Sequence, residues 1–104
     1  MSENPSTLAV EVVQIQGKCP AHQTGDRFEV REGYRLVAEG PVCMHALHSL
    51  FPYYVALSRG VDPSVLGLGG SDGAAYVQCL DAREYTGGGT ITLRIVRVCQ
   101  EPGQ

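Results

Sequence analysis

Four cysteines, Cys19, Cys43, Cys79 and Cys99, and three histidines, His22, His45 and His48, carry most of the chain's capacity for chemistry. Cys19-Pro-Ala-His22 puts a thiol and an imidazole three residues apart in a short loop. Such a pair can chelate one ion from two points, and Zn²⁺ accepts both thiolate sulfur and imidazole nitrogen. Two ligands do not hold a structural zinc, so others must come from elsewhere. Cys43 stands at an expected helix start, where the dipole favours a thiolate, the ligand form. Cys79 stands at an expected strand end. The expected metal site is therefore Cys19, His22, Cys43 and Cys79, holding zinc, with iron as the alternate metal. Two other readings stay open. Cys43 can be a reactive thiol with His22 as its partner, in a small enzyme or redox protein. Cys43 and Cys79 can also be small core residues, with His22 on a surface loop.

Other polar residues offer less. Asp26 either orients the His22 imidazole or closes the Gly25-Asp26 turn. His45 and His48 share a helix face directed away from Cys43 and read as solvated. Gly67-Leu-Gly-Gly-Ser-Asp-Gly73 fails the dinucleotide pattern, because Asp72 stands where the third glycine belongs. It reads as a flexible loop, a lid over a pocket at most. No serine sits in a Ser-His-Asp arrangement. Tyr53 and Tyr54 read as core packing with polar tips.

The elements that must position these groups follow from hydrophobic period. Residues 8–16 form a β-branched run whose apolar phase changes at Val13, which predicts a strand with a bulge or one buried on both faces. Gly17–Asp26 is a loop. Residues 27–31 alternate, Glu32-Gly33 suits a tight turn, and 34–38 form another short strand. Residues 42–59 carry apolar positions at spacings of three and four and predict the one principal helix, near 43–58. Pro52 predicts a kink there, or two short helices with Pro52 starting the second. A helical turn follows Asp62-Pro63. Strands over 74–80 and 90–99 flank a turn region at 81–89, and the last strand is expected to lie centrally. One helix cannot supply parallel crossovers, so the expected fold is α+β, a mainly antiparallel sheet of four to five strands with the helix on one face. Cys99 lies beyond the last regular strand position, at the start of the tail, and is excluded from the site.

The chain has 104 residues, of which 43% are hydrophobic, and a net charge of −3. That composition predicts one folded domain over 1–104 with tails at 1–7 and 100–104, and it argues against disorder. A single lysine and a negative net charge argue against nucleic-acid binding, which needs a basic face. No run of about eighteen apolar residues exists to cross a membrane. The N-terminus lacks the basic start and apolar stretch of a secretory signal, so the expected compartment is the cytoplasm and the thiols are expected free. Open strand edges suggest a homodimer. A third functional reading is an accessory subunit that binds a larger enzyme partner through its sheet face or edge.

Gly17-x-Cys19-x-x-His22-x-x-Gly25-Asp26-x-Phe28 resembles the signature of a small prokaryotic family of uncharacterised proteins of about this length. Those chains read Gly-x-Cys, Gly-His and Gly-Asp-x-Phe. They continue with Cys before Ala-Leu, then Leu-x-Pro-Tyr, Ala-Leu and a late Cys-Pro-Asp-Pro. Here the counterparts are Cys43-Met-His-Ala46-Leu47, Leu50-Phe-Pro52-Tyr53, Ala56-Leu57 and Cys79-Leu80-Asp81-Ala82. Ala21 replaces a glycine, the Cys-to-His spacing is one residue shorter, and both late prolines are missing. The resemblance spans roughly residues 10–98. It implies that Cys19, His22, Cys43 and Cys79, rather than Cys99, belong together.

Overall fold

Strand β1 (Thr7–Gly17) is the middle of an antiparallel sheet, and its neighbours follow from its sequence. Leu8, Val10 and Val12 point one way and are almost wholly buried. The register shifts between Val12 and Gln14, and Ile15 then lies opposite Ile91 of β5 (Gly89–Val98). The phase change in the sequence is thus a bulge at Val13. It returns Ile15 to the side of the core. The computed structural model describes residues 5–98, so Cys99 and the tail at 100–104 lie outside the described residues.

The other edge of β1 pairs with β2 (Arg27–Arg31), which pairs with β3 (Arg35–Ala38). Glu32 and Gly33 in the connecting turn have φ of 62° and 82°, the left-handed pair that a tight hairpin requires. Beyond β5 lies β4 (Ala75–Gln78), giving the order β3-β2-β1-β5-β4. The α+β fold stands, with five antiparallel strands. The last strand, β5, lies inside the sheet as expected, paired on one side with β1 and on the other with β4, and Ile91 and Leu93 are buried.

The principal helix needs a correction. The chain forms two short helices, α1 (Met44–His48) and α2 (Tyr54–Ser58). Pro52 has no N–H to continue the ladder, so residues 49–53 tighten into turns such as Leu50 N–H to Leu47 O (3.0 Å). Tyr54 N–H to Leu50 O (2.9 Å) resumes the helical pattern just after the proline. The apolar stripe survives the break: Ala46, Leu50 and Leu57 are all buried against the same face of the sheet. A short α3 (Arg83–Thr86) occupies the region expected to be only a turn.

The N-terminal tail is also shorter than expected. Ser6 N–H donates to Ser58 O (2.7 Å), and Thr7 already belongs to β1. The opposite face of the sheet is mixed, with one row formed by Val96, Ala9, Glu29 and Val37 across β5, β1, β2 and β3. Tyr76, Arg94, Glu11 and Arg27 form another row across β4, β5, β1 and β2. Arg27 approaches Glu11 at 3.6 Å.

The glycine-rich stretch before β4 corrects the lid reading. Asp62 caps a 3-10 turn over Pro63–Leu66, as the Asp-Pro pair suggested. Leu68 O then accepts from Tyr76 N–H (2.9 Å), and Gly70 N–H donates to Ala74 O (2.9 Å). The segment therefore folds back on the outer edge of β4. Gly70 is required there, because a Cβ would run into the Tyr76 ring. Asp72 holds the turn by accepting from Ala74 N–H (3.1 Å), the Tyr76 hydroxyl (2.8 Å) and Arg94 Nε (2.9 Å).

These bonds, the Tyr76 hydroxyl foremost, lower the Asp72 carboxyl from 3.8 to about 2. A depressed folded value means that the contribution is complete above the unfolded value and is lost as pH falls through the folded one. The turn is thus expected to stay latched as pH falls past 3.8 and to release toward about 2. Carboxyl NMR of a Tyr76→Phe variant should find Asp72 titrating closer to 3.8, and an unchanged midpoint would refute the assignment.

Candidate functional site

The loop from Lys18 to Asp26 is tied to β1 at the bulge. Val12 N–H donates to Asp26 O (2.9 Å), and Gly25 N–H donates to Val12 O (2.8 Å). This holds His22 under the start of α1, with its side chain only 3% exposed. The Cys43 N–H donates to His22 Nε2 (3.0 Å). An amide can only donate, so Nε2 is the acceptor and Nδ1 carries the proton. Nδ1–H in turn donates to Asp26 Oδ2 (3.1 Å).

Asp26 performs both roles weighed for it. Its Oδ2 also accepts from Gln23 N–H (3.1 Å), which closes the turn. The Gln23 amide first, and then His22, hold the Asp26 carboxyl below its ordinary value. His22 therefore bridges a loop carboxylate to the first free amide of a helix that has no side-chain cap of its own. Both ring nitrogens are occupied. The one ring lone pair, on Nε2, is taken by the Cys43 amide, so in this arrangement none is left for a metal or for a base toward the Cys43 thiol.

Cys43 is the residue preceding α1, half-buried, and its thiol packs against the edge of the core. Cys79 follows β4 and is buried. Its Sγ lies 3.6 Å from Gly89 O, to which it donates, and accepts from Ile91 N–H at 3.3 Å. The Cys19 backbone also runs close to Gly89: a Cβ there would lie 2.7 Å from the Cys19 nitrogen. Cys19, Cys43 and Cys79 are all free thiols.

The structure thus brings His22 to Cys43, and Cys19 and Cys79 to Gly89, all beside one hydrophobic core. Among the described residues, no group of three or more His, Cys, Asp or Glu side chains is placed to hold a metal ion. The donor set does not fit zinc as it is arranged, because His22 and Cys79 already serve backbone groups. His45 and His48 are exposed, as expected, and the His48 ring tilts against Phe51 with centroids 5.9 Å apart.

The sequence reading missed a cleft of about 680 Å³ beside this latch. Its wall includes His22, Asp26, Arg27, Glu29, Arg31 and Val37. The alternation over 27–31 carried the signal, but its polar side reads as plain solvent unless the loop that walls it is placed. No protein-family model matches the chain, and comparisons with curated proteins and with solved structures likewise return no match.

If the imidazole is a latch, its loss leaves a helix-start amide unpaired in a half-buried place. Removing a partner from such a group costs about 1–3 kcal/mol. His22→Ala should lose about 2 kcal/mol in urea unfolding, whereas Cys43→Ala, which keeps the donating backbone, should lose about 1 kcal/mol or less. Equal losses would show that the Cys43 thiol matters as much as the latch.

Proposed function

We propose that the chain is an accessory interaction protein that receives an extended segment of a larger enzyme partner in the cleft along β2. One observation carries this reading. His22 and Cys79 hold backbone groups, while Arg27, Glu29 and Arg31 line an open cleft at every second position of a strand. Such spacing matches a partner strand that also presents side chains every second residue. The alternating charge favours a peptide over a polyanion, since nucleic acid needs a one-signed basic surface. A cytoplasmic setting belongs to the same reading and agrees with three free thiols. No helix among the described residues is long and apolar enough to cross a membrane.

A second reading keeps zinc. It is favoured by three free thiols, those of Cys19, Cys43 and Cys79, beside one core, and by the resemblance that groups them with His22. It requires His22 to release the Cys43 amide, and Cys79 to leave Gly89 O.

Both readings can be tested on the purified protein. Peptides selected from a random display library should shift the amides of residues 26–31 in NMR spectra and lose binding to an Arg31→Glu variant. Selected peptides that leave those amides unmoved, or a selection that enriches none, would overturn the cleft reading. Elemental analysis of protein purified without added metal decides the second. About one zinc per chain, released by Cys43→Ala, establishes it, and protein that is folded without metal removes it.

A further inference from the structure

The two edges of the sheet are not alike. Along β4, the outward amide of Tyr76 is taken by Leu68 O, and Gly70 pairs with Ala74. No described backbone group pairs with the outer edge of β3. Which of its groups point outward follows from the ladder. Val12 bonds toward the β2 side through Asp26 O and Gly25 N–H. Backbone groups alternate sides along a strand, so Val10 and Leu8 also turn toward β2, and Phe28 and Val30 turn back toward β1. Glu29 and Arg31 therefore face β3, and Val37 and Arg35 face back to them. Leu36 and Ala38 present their N–H and C=O groups outward.

We infer that two copies of this chain pair antiparallel along β3, on a two-fold axis passing beside Val37. In that register Leu36 exchanges both backbone bonds with the partner's Ala38, and symmetry repeats the pair. Val37 faces the partner's Val37 in the closely spaced, non-bonded position. Arg35 comes opposite the partner's Glu39 at both ends. A shift of two residues either way still matches outward groups, but it sets Arg35 against the partner's Val37 or Pro41. A shift of one residue sets outward groups against inward ones. Only the register centred on Val37 satisfies both hydrogen bonding and charge.

Two further observations favour a second copy as the occupant. Tyr34 and Leu36 are 75% and 43% exposed, large apolar side chains beside this edge. Pairing sets Leu36 beside the partner's Ala38, and Tyr34 opposite the partner's Gly40. Charged residues on a short edge strand ordinarily discourage pairing. Here the charges differ in sign at the two ends, Arg35, which also pairs with Glu32 of its own chain, and Glu39, so an antiparallel copy finds them complementary. The Gly33 turn and Pro41 bound the edge and close the contact at two copies. So short a ladder falls well below the ~1,200 Å² of stable complexes, and the dimer is concentration-dependent. This inference does not rest on the cleft reading, because its readout is mass rather than peptide binding.

Sedimentation equilibrium from about 5 µM to about 500 µM should carry the mass from 11.2 kDa toward twice that value. A constant 11.2 kDa would overturn the proposal, and so would assembly beyond two copies. Arg35→Glu sets two like-charged pairs across the axis and should weaken association at least about tenfold, with the Arg35→Glu/Glu39→Arg swap restoring it. If the swap fails to restore association, the register is wrong. Oxidation of a Val37→Cys variant should give a disulfide-linked dimer that an Arg35→Cys variant and the wild type do not. Ala38→Pro removes an outward donor in each copy and should leave a monomer. Its circular dichroism should be native; an Ala38→Pro protein that still dimerises counts against the ladder.

Discussion

The backbone of Val12 is the point on which the arrangement hangs. Its N–H and C=O bind the loop through Asp26 and Gly25, while its other edge adjoins the place where the register with β5 shifts. The bulge gives β1 two functions along one strand. Before it, Leu8, Val10 and Val12 pack the core under the helices. Beyond it, Ile15 rejoins that core, and the chain runs on to Gly17 opposite Gly89. The loop anchored there carries His22 to the Cys43 amide, so the position of α1 depends on Val12 at two removes. A short helix cannot hold itself in water, because nucleation is costly and few bonds repay it. The five residues of α1 therefore rely on the His22 latch and on the burial of Ala46.

Packing α1 and α2 on one side leaves the other face of the sheet open to solvent along its polar rows. Its rows are held by ion pairs at the surface, such as Arg94 with Asp72 and Arg31 with Glu29. Exposed pairs of this kind add little stability each. What they supply is a patterned, solvated surface, and the cleft beside β2 is the part of it that a loop walls in. The same asymmetry governs the edges. The hairpin at Gly69–Gly73 takes outward groups of Ala74 and Tyr76 beside β4, whereas no described backbone group pairs with the outer edge of the four-residue β3.

Much of the architecture was legible because it rests on local period and turn chemistry. The phase change at Val13 marked a bulge, Glu32-Gly33 marked a hairpin and Asp62-Pro63 marked a helical turn. The break at Pro52 was legible too, as one of two outcomes a proline permits. The edge hairpin was not. Glycines predict freedom, and what restrains these is a tertiary partner: Leu68 with Tyr76, and Asp72 with Arg94. The candidate site was legible as a neighbourhood but not as a function. Cys-x-x-His spacing fits a chelate and equally fits a loop that closes on itself. What the spacing does not show is that the imidazole's second nitrogen meets an amide 21 residues away.

That substitution of roles has a physical cause in the size of the protein. A chain of 104 residues has a modest core, and every helix start and loop buried beside it leaves amides that water no longer satisfies. An unmade bond of this kind costs more than a made one contributes. Serine or aspartate would cap α1 from its own sequence, but the residue preceding α1 is Cys43, which makes no side-chain cap bond. The cap is supplied instead from a distant loop, by a side chain long enough to span the gap and with two nitrogens to join both ends. Histidine meets both needs, and Asp26 fixes which nitrogen is the acceptor. Cys79 follows the same logic, its thiol donating to one backbone group and accepting from another at the end of β4. In this arrangement His22 and Cys79 are polar parts of a small core, each meeting backbone groups that would otherwise be left unpaired beside it.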